Sequence, residues 1–280
     1  MEKFLEDDGL ASPPVGPWSQ RKYELILYYA QEFATSMKRK WESRVYIDLF
    51  AGAGRSRIKE LGKIVPASPI LALTVKNPFD KYIFCEIDQE NVFALKERIS
   101  RDFPKMNVSI VFGDANDCIN EIISLIPRYS KEFRVLIFCL VDIFNSDNLD
   151  FNTIRKLSQF FVDFLILIPL MDLNRNEMHY YKAENPRMDR FLGNPDWRNA
   201  YDNSRSPNCS FGNFITEYFD NQMHTLGYFK TSWQDKAIVR YERKGPLYCL
   251  SFFSRNKFAL KLWREALHRT DPQLLLIREE

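Results

Sequence analysis

The stretch Tyr46-Ile47-Asp48-Leu49-Phe50-Ala51-Gly52-Ala53-Gly54 constrains this chain more than any other. Residues 45–50 form a short apolar run that belongs in a buried strand, and two glycines one residue apart then turn the chain where a Cβ would block it. A turn without side chains lets backbone amides approach a ligand, so the end of this strand is a place to bind something. No Gly-Lys-Ser/Thr follows, which excludes a phosphate loop. Arg57 stands where the third glycine of a dinucleotide fingerprint belongs, so that motif is incomplete too.

The rest of the chain alternates around this strand. Residues 1–17 are acidic and then Pro/Gly-rich, which predicts a loose amino-terminal arm ahead of one domain over 18–280. Ser19 is placed to cap a helix reaching about residue 40, with Tyr23, Leu25, Ile26, Tyr29 and Phe33 on its apolar face. Residues 55–67, carrying Arg55, Arg57, Lys59 and Lys63, read as a long strand-end loop, either functional or, as the expected arrangement, solvated and charged. Strands are then expected at 81–87, 107–112, 133–141 and 162–169, with helices between them at 89–102, 118–126 and 151–160. Strand and helix alternate five times, the pattern of a parallel doubly wound sheet with right-handed crossovers. The rhythm breaks at about 171–208, a polar and aromatic insertion read as a substrate cover. Helix 211–226 follows, then strands 233–241 and 247–253, joined by Glu242-Arg243-Lys244-Gly245-Pro246 as an antiparallel hairpin, and a closing helix at 256–267.

Composition sets further bounds. With 280 residues, 45% of them hydrophobic, the chain can bury a large core, and a formal charge of +2 calls for no nucleic-acid or membrane partner. The five cysteines are odd in number and far apart, as expected of reduced thiols in a cytoplasmic protein. There is no Cys-x-x-Cys and no helical His pair, so no metal site is expected, and no apolar run approaches the 20 residues of a membrane span.

Acids recur where strands end. Asp48 lies in the first strand, Glu86 ends the second, Asp114 follows the third, and Asp142 ends the fourth. In an open parallel sheet ligands bind outside the carboxyl ends of the strands, near the switch in strand order. A carboxylate at Glu86 can accept from two ribose hydroxyls, and one at Asp114 from an adenine amine beside the Ala115 backbone. Asp48 can orient an ammonium, and Asp142 sits nearest the reacting group as a base or acceptor. Each acid also has a structural reading, since strand-end acids cap helices or simply meet solvent.

Asp48-Leu49-Phe50-Ala51-Gly52-Ala53-Gly54 resembles the first motif of S-adenosylmethionine-dependent methyltransferases. Five alternating strands followed by an antiparallel pair resemble the seven-stranded, Rossmann-like class I methyltransferase sheet, mostly parallel with an antiparallel carboxyl-terminal hairpin. The chain further resembles the three-Cys-motif partner (TcmP) proteins. That resemblance rests on Val15-Gly16-Pro17-Trp18, the glycine turn, Ser68-Pro69, Phe84-Cys85-Glu86-Ile87-Asp88, Gly113-Asp114-Ala115-Asn116, Arg190-Phe191-Leu192-Gly193 with Trp197, and Leu247-Tyr248 with Trp263. It implies S-adenosylmethionine as cofactor, held by Asp48, Phe50, Ala51, Gly52, Gly54, Glu86, Ile87, Asp114 and Ala115. It also implies a three-Cys-motif iron-sulfur protein as partner. Asp142-Ile143-Phe144-Asn145 departs from the Asp-Pro that family members carry, which leaves open whether a methyl group is transferred or the chain is a silent cofactor-binding partner. Candidate acceptor contacts are Asn145, Asp172, Asn174, Tyr180 and Trp197. Arg187, Arg190, Arg198 and Arg205 suit either a nucleic-acid backbone or ion pairs with Asp189, Asp196 and Asp202; the ion pairs are the expected arrangement.

Overall fold

A computed structural model describes residues 4–204, 209–240 and 245–270. In chain order the first half runs β1 (Pro14–Val15), α1 (Ser19–Met37), β2 (Ser43–Asp48), β3 (Arg55–Ile58), β4 (Ile64–Pro66), α2 (Ser68–Leu73), β5 (Lys81–Glu86), α3 (Gln89–Asp102), β6 (Val108–Phe112) and α4 (Ile119–Ser124). The second half runs β7 (Val135–Val141), α5 (Phe151–Leu157), β8 (Val162–Ile168), α6 (Leu170–Arg175), α7 (Glu177–Tyr181), α8 (Arg187–Leu192), α9 (Trp197–Ser204), α10 (Phe211–Thr225), β9 (Lys236–Arg240), β10 (Pro246–Phe253) and α11 (Lys257–Thr270).

Seven strands make the main sheet, in the order β6-β5-β2-β7-β8-β10-β9. Pairings from β6 to β8 are parallel, and β10 runs antiparallel to both β8 and β9. The central strands explain the sequence pattern: every residue of β2, β7 and β8 is buried, because helices cover both faces of a parallel sheet. The chain leaves β2 toward β5 and β6, then crosses back to β7 and β8. The carboxyl ends of β2 and β7 therefore flank the topological switch. The antiparallel end agrees with the expected hairpin, although residues 242–244 of its turn lie outside the described residues.

Several local expectations change. Trp18, not Ser19, stands at the N-cap of α1, and Ser19 is buried within the first turn. Residues 55–67 are not a solvated loop. They form β3 and β4, which build a second, three-stranded sheet with β1. This small sheet also changes the reading of the amino-terminal arm, which is docked from residue 5 onward. Leu5 bridges Ile64, β1 pairs with β3, and Asp8 meets Arg98. Arg98 is fully buried, and a guanidinium in that position needs acceptors for its five N–H groups. It finds them in both Asp8 oxygens (2.9 and 2.7 Å), the Ala11 carbonyl (2.8 Å), the Ser12 hydroxyl (3.1 Å) and the Ala53 carbonyl (2.6 Å). Residues 8–12 are thus tied through Arg98 to the glycine turn.

Candidate functional site

The turn after β2 is held by its neighbours on both sides. Leu49 donates its amide to the Leu140 carbonyl (3.1 Å), and Ala51 donates to Cys85 (2.9 Å), so the loop straddles the ends of β7 and β5. Gly52 and Gly54 have φ of 63° and 78°, a region that side chains disfavour. The two differ in surroundings. A Cβ on Gly54 would lie 2.9 Å from Leu95 and 3.0 Å from Ile70, whereas one on Gly52 would meet nothing within 4 Å. Gly54 is small for packing, and the space above Gly52 is open.

Two carboxylates are bonded to this turn, and two more stand at the ends of neighbouring strands. Asp48 is completely buried; its Oδ1 accepts from the Phe50 amide at 3.2 Å, the Ser68 hydroxyl lies near the carboxyl, and Oδ2 has no hydrogen bond of good geometry. Burial pushes its carboxyl up to about 7, with Asp142 and Glu86 adding to the rise and Ser68 opposing it. Glu86 is 9% exposed and accepts from the Gly52 amide (Oε2, 2.6 Å) and the Asp88 amide (Oε1, 2.8 Å). Each of its oxygens keeps a second lone pair for a ligand. Asp114 accepts from the Asn116 amide at 2.7 Å in a local turn, with Ala115 buried behind it. Ile87 is 63% exposed at the end of β5, an apolar side chain offered to solvent next to Glu86.

Asp142 lies on the other side of the switch and is not free. Lys22, from the buried face of α1, donates to its Oδ2 at 2.6 Å, and both side chains are largely buried. Burial disfavours the Lys22 ammonium, but Asp142, together with Tyr23 and Tyr248, more than reverses that and raises its pKa. Sequence reasoning missed Lys22. The signal was present, because Ser19, Lys22 and Ile26 share one helical face and a lysine there faces inward.

A cavity of about 520 Å³ opens beside this pair. Its walls include Val15 and Gly16 of the docked arm, Trp18, Tyr23 and Tyr248, and Asn145 and Asp172. The structure therefore brings Asp142, Asn145 and Asp172 to one space. Asp48, Gly52, Glu86 and Asp114 lie outside its lining, in the adjoining region at the ends of β2, β5 and β6.

The remaining candidate acceptor contacts have structural roles. Asn174 Oδ1 accepts from the Gly212 amide at 2.7 Å at the start of α10. Tyr180 is buried and donates to Asp172 at 2.7 Å. Trp197 is wholly buried and donates to Asp189 at 2.8 Å, with the Arg198 guanidinium 4.6 Å above its ring. The insertion is helical, with α6 to α9 in it, and three of its arginines pair with acids: Arg198 with Asp189 as expected, but Arg187 with Asp147 and Arg190 with Asp150, which lie before the insertion, in place of Asp196 and Asp202. Arg205 lies outside the described residues. Among the described residues no group of three His, Cys, Asp or Glu side chains could hold a metal ion, and no helix is long and apolar enough to cross a membrane.

No protein-family model and no curated protein matches the chain. Solved structures do. Protein LPL1258 from Legionella pneumophila str. Philadelphia 1 is 13% identical with a TM-score of 0.51, over 89% of this chain and 92% of that one. TYW2 from M. jannaschii, in complex with AdoMet, is 11% identical with a TM-score of 0.42, over 91% and 87%. An O-methyltransferase from Bacillus cereus, in complex with SAH, is 11% identical with a TM-score of 0.44, over 88% and 84%. At such identities the likeness concerns the fold alone, which the strand order above defines as a doubly wound α/β sheet of seven strands, parallel except at its carboxyl-terminal end.

Proposed function

We propose that this chain binds S-adenosylmethionine at the ends of β2, β5 and β6 and is a methyltransferase whose acceptor enters the cavity beside Asp142. The observation that carries the reading is the cradle at Gly52. Open space lies above a glycine of positive φ, and the buried Asp48 close by has one oxygen without a good hydrogen bond. A ligand with an ammonium and a ribose suits this set: Asp48 for the ammonium, Glu86 for the hydroxyls, exposed Ile87 against the base, and Asp114 and Ala115 at its edge. Phe50, Ala51 and Gly54 shape the turn from below. When bound, S-adenosylmethionine supplies an electrophilic methyl group, and the work of the protein is to orient an acceptor against it. The resemblance to three-Cys-motif partner proteins extends the proposal to a chain of that family, acting beside an iron-sulfur protein.

Calorimetric titration of the folded protein with S-adenosylmethionine and S-adenosylhomocysteine tests the reading. Saturable binding is expected, weakened about tenfold or more in Glu86→Gln, which keeps the side-chain shape but loses the charged acceptor. Absence of heat with both ligands would refute it.

A further inference from the structure

The cavity carries information about what enters it. An ammonium has three donors and no acceptor capacity, and Lys22 donates one of them to Asp142. Its side chain is 10% exposed and lines the cavity, and among the described residues no second acceptor is bonded to it. Buried donors left unmade are costly, so the cavity side of Lys22 favours an acceptor oxygen, from water or from a ligand that displaces it. The rim adds charge. Lys59 and Arg175 line it, both are exposed, and neither side chain forms an ion pair among the described residues. The two acids of the lining offset only part of this charge: Asp142 is paired with Lys22, and Asp172, which accepts from the neutral Tyr180 and Asn176 (2.7 Å each), balances one of the two rim cations, so the lining stays positive. Flat apolar surface completes the space: Trp18 and Tyr248 form walls, and Phe144, 91% exposed, stands among the lining residues. One wall belongs to the amino-terminal segment, which β1–β3 pairing and Arg98 hold in place. The volume, about 520 Å³, lies within the range of small-molecule sites.

We infer that this cavity binds a small anionic aromatic molecule, with a hydroxyl or carboxylate oxygen on Lys22, its ring against the aromatic walls and its charge toward Lys59 and Arg175. That this molecule is the methyl acceptor rests on the reading above; that the cavity binds it does not.

The test is calorimetry on the full chain without cofactor, using 4-hydroxybenzoate, salicylate and indole-3-acetate as probes. The neutral 4-methylphenol and a short oligothymidylate serve as contrasts. At least one acid is expected to bind, with 4-methylphenol about tenfold weaker and Lys22→Met weaker by a similar factor. Arg175→Gln, at an exposed position, is expected to lose a few-fold and keeps the test independent of whether Lys22→Met folds. Equal affinity for acid and neutral ring, no binding of any of the three acids, or binding of the oligonucleotide alone would overturn the inference. Titration of the same sample with S-adenosylmethionine and S-adenosylhomocysteine separates the two proposals. Acid binding without a response to either nucleoside sinks the methyl-transfer reading only, and the reverse sinks the aromatic-acid site only.

Discussion

Asp48 and Asp142 are the same residue type at the ends of adjacent central strands, yet the protein treats them oppositely. Asp48 is sealed at the base of the glycine turn with no cation bonded to it, and burial raises its carboxyl to about 7. Asp142 meets a buried ammonium from α1 at 2.6 Å. The first arrangement leaves one buried acceptor oxygen without a good hydrogen bond. The second is already an ion pair, and what remains unmet there is the donor capacity of Lys22. Position along a strand therefore does not set the role of an acid at a switch point; the element packed above it does.

The largest effect expected of breaking this contrast comes from Lys22→Met, which leaves Asp142 without its counter-charge. Loss of one partner of a buried pair costs about 3 to 5 kcal/mol, read as a drop in the denaturant midpoint. A double change of Lys22→Met with Asp142→Leu is expected to recover much of it, and failure to recover would mean that the pair is not the source.

Next comes Asp48→Asn. The folded state holds a proton on Asp48 up to about pH 7, whereas the unfolded chain releases it near pH 4. The wild type therefore loses stability as pH rises through that window and levels off above it, by up to roughly 4 kcal/mol. Asn cannot titrate, so the variant lacks this part of the slope. Unfolding curves at pH 4 to 8 check it, and parallel profiles for the two proteins would show that Asp48 is ionised throughout.

The two glycines give the smaller effects and separate packing from binding. Gly54→Ala meets Leu95 and Ile70 at a φ of 78°, for a loss of about 2 to 4 kcal/mol in stability. Gly52→Ala meets no atom, so its stability loss is about 1 kcal/mol, while its Cβ occupies the open space and weakens S-adenosylhomocysteine binding. Equal effects of the two changes on binding would remove the distinction.

Much of this was legible from residues alone. The runs in β2, β7 and β8 read as strands because a parallel sheet buries both faces, leaving continuous apolar sequence. Glu86 and Asp114 could be placed at strand ends because those strands were bounded by turn residues. Residues 55–67 misled because β3 and β4 are short, β3 is charged, and β1, which completes their sheet, has two residues more than 40 positions away. Residues 8–12 looked loose because their partner, Arg98, comes from α3. Asn174, Tyr180 and Trp197 looked available because polar and aromatic side chains in short helices do not reveal what they already bond.

By itself the sequence determined the strand order's raw material, the glycine turn and the register of acids at the strand ends, since these depend on local backbone freedom and periodic burial. Only the tertiary structure decided that Lys22 faces Asp142, 120 positions away, and that the amino-terminal segment walls the cavity. Coulombic and hydrogen-bond energies depend on separation in space, and separation along the chain does not encode it.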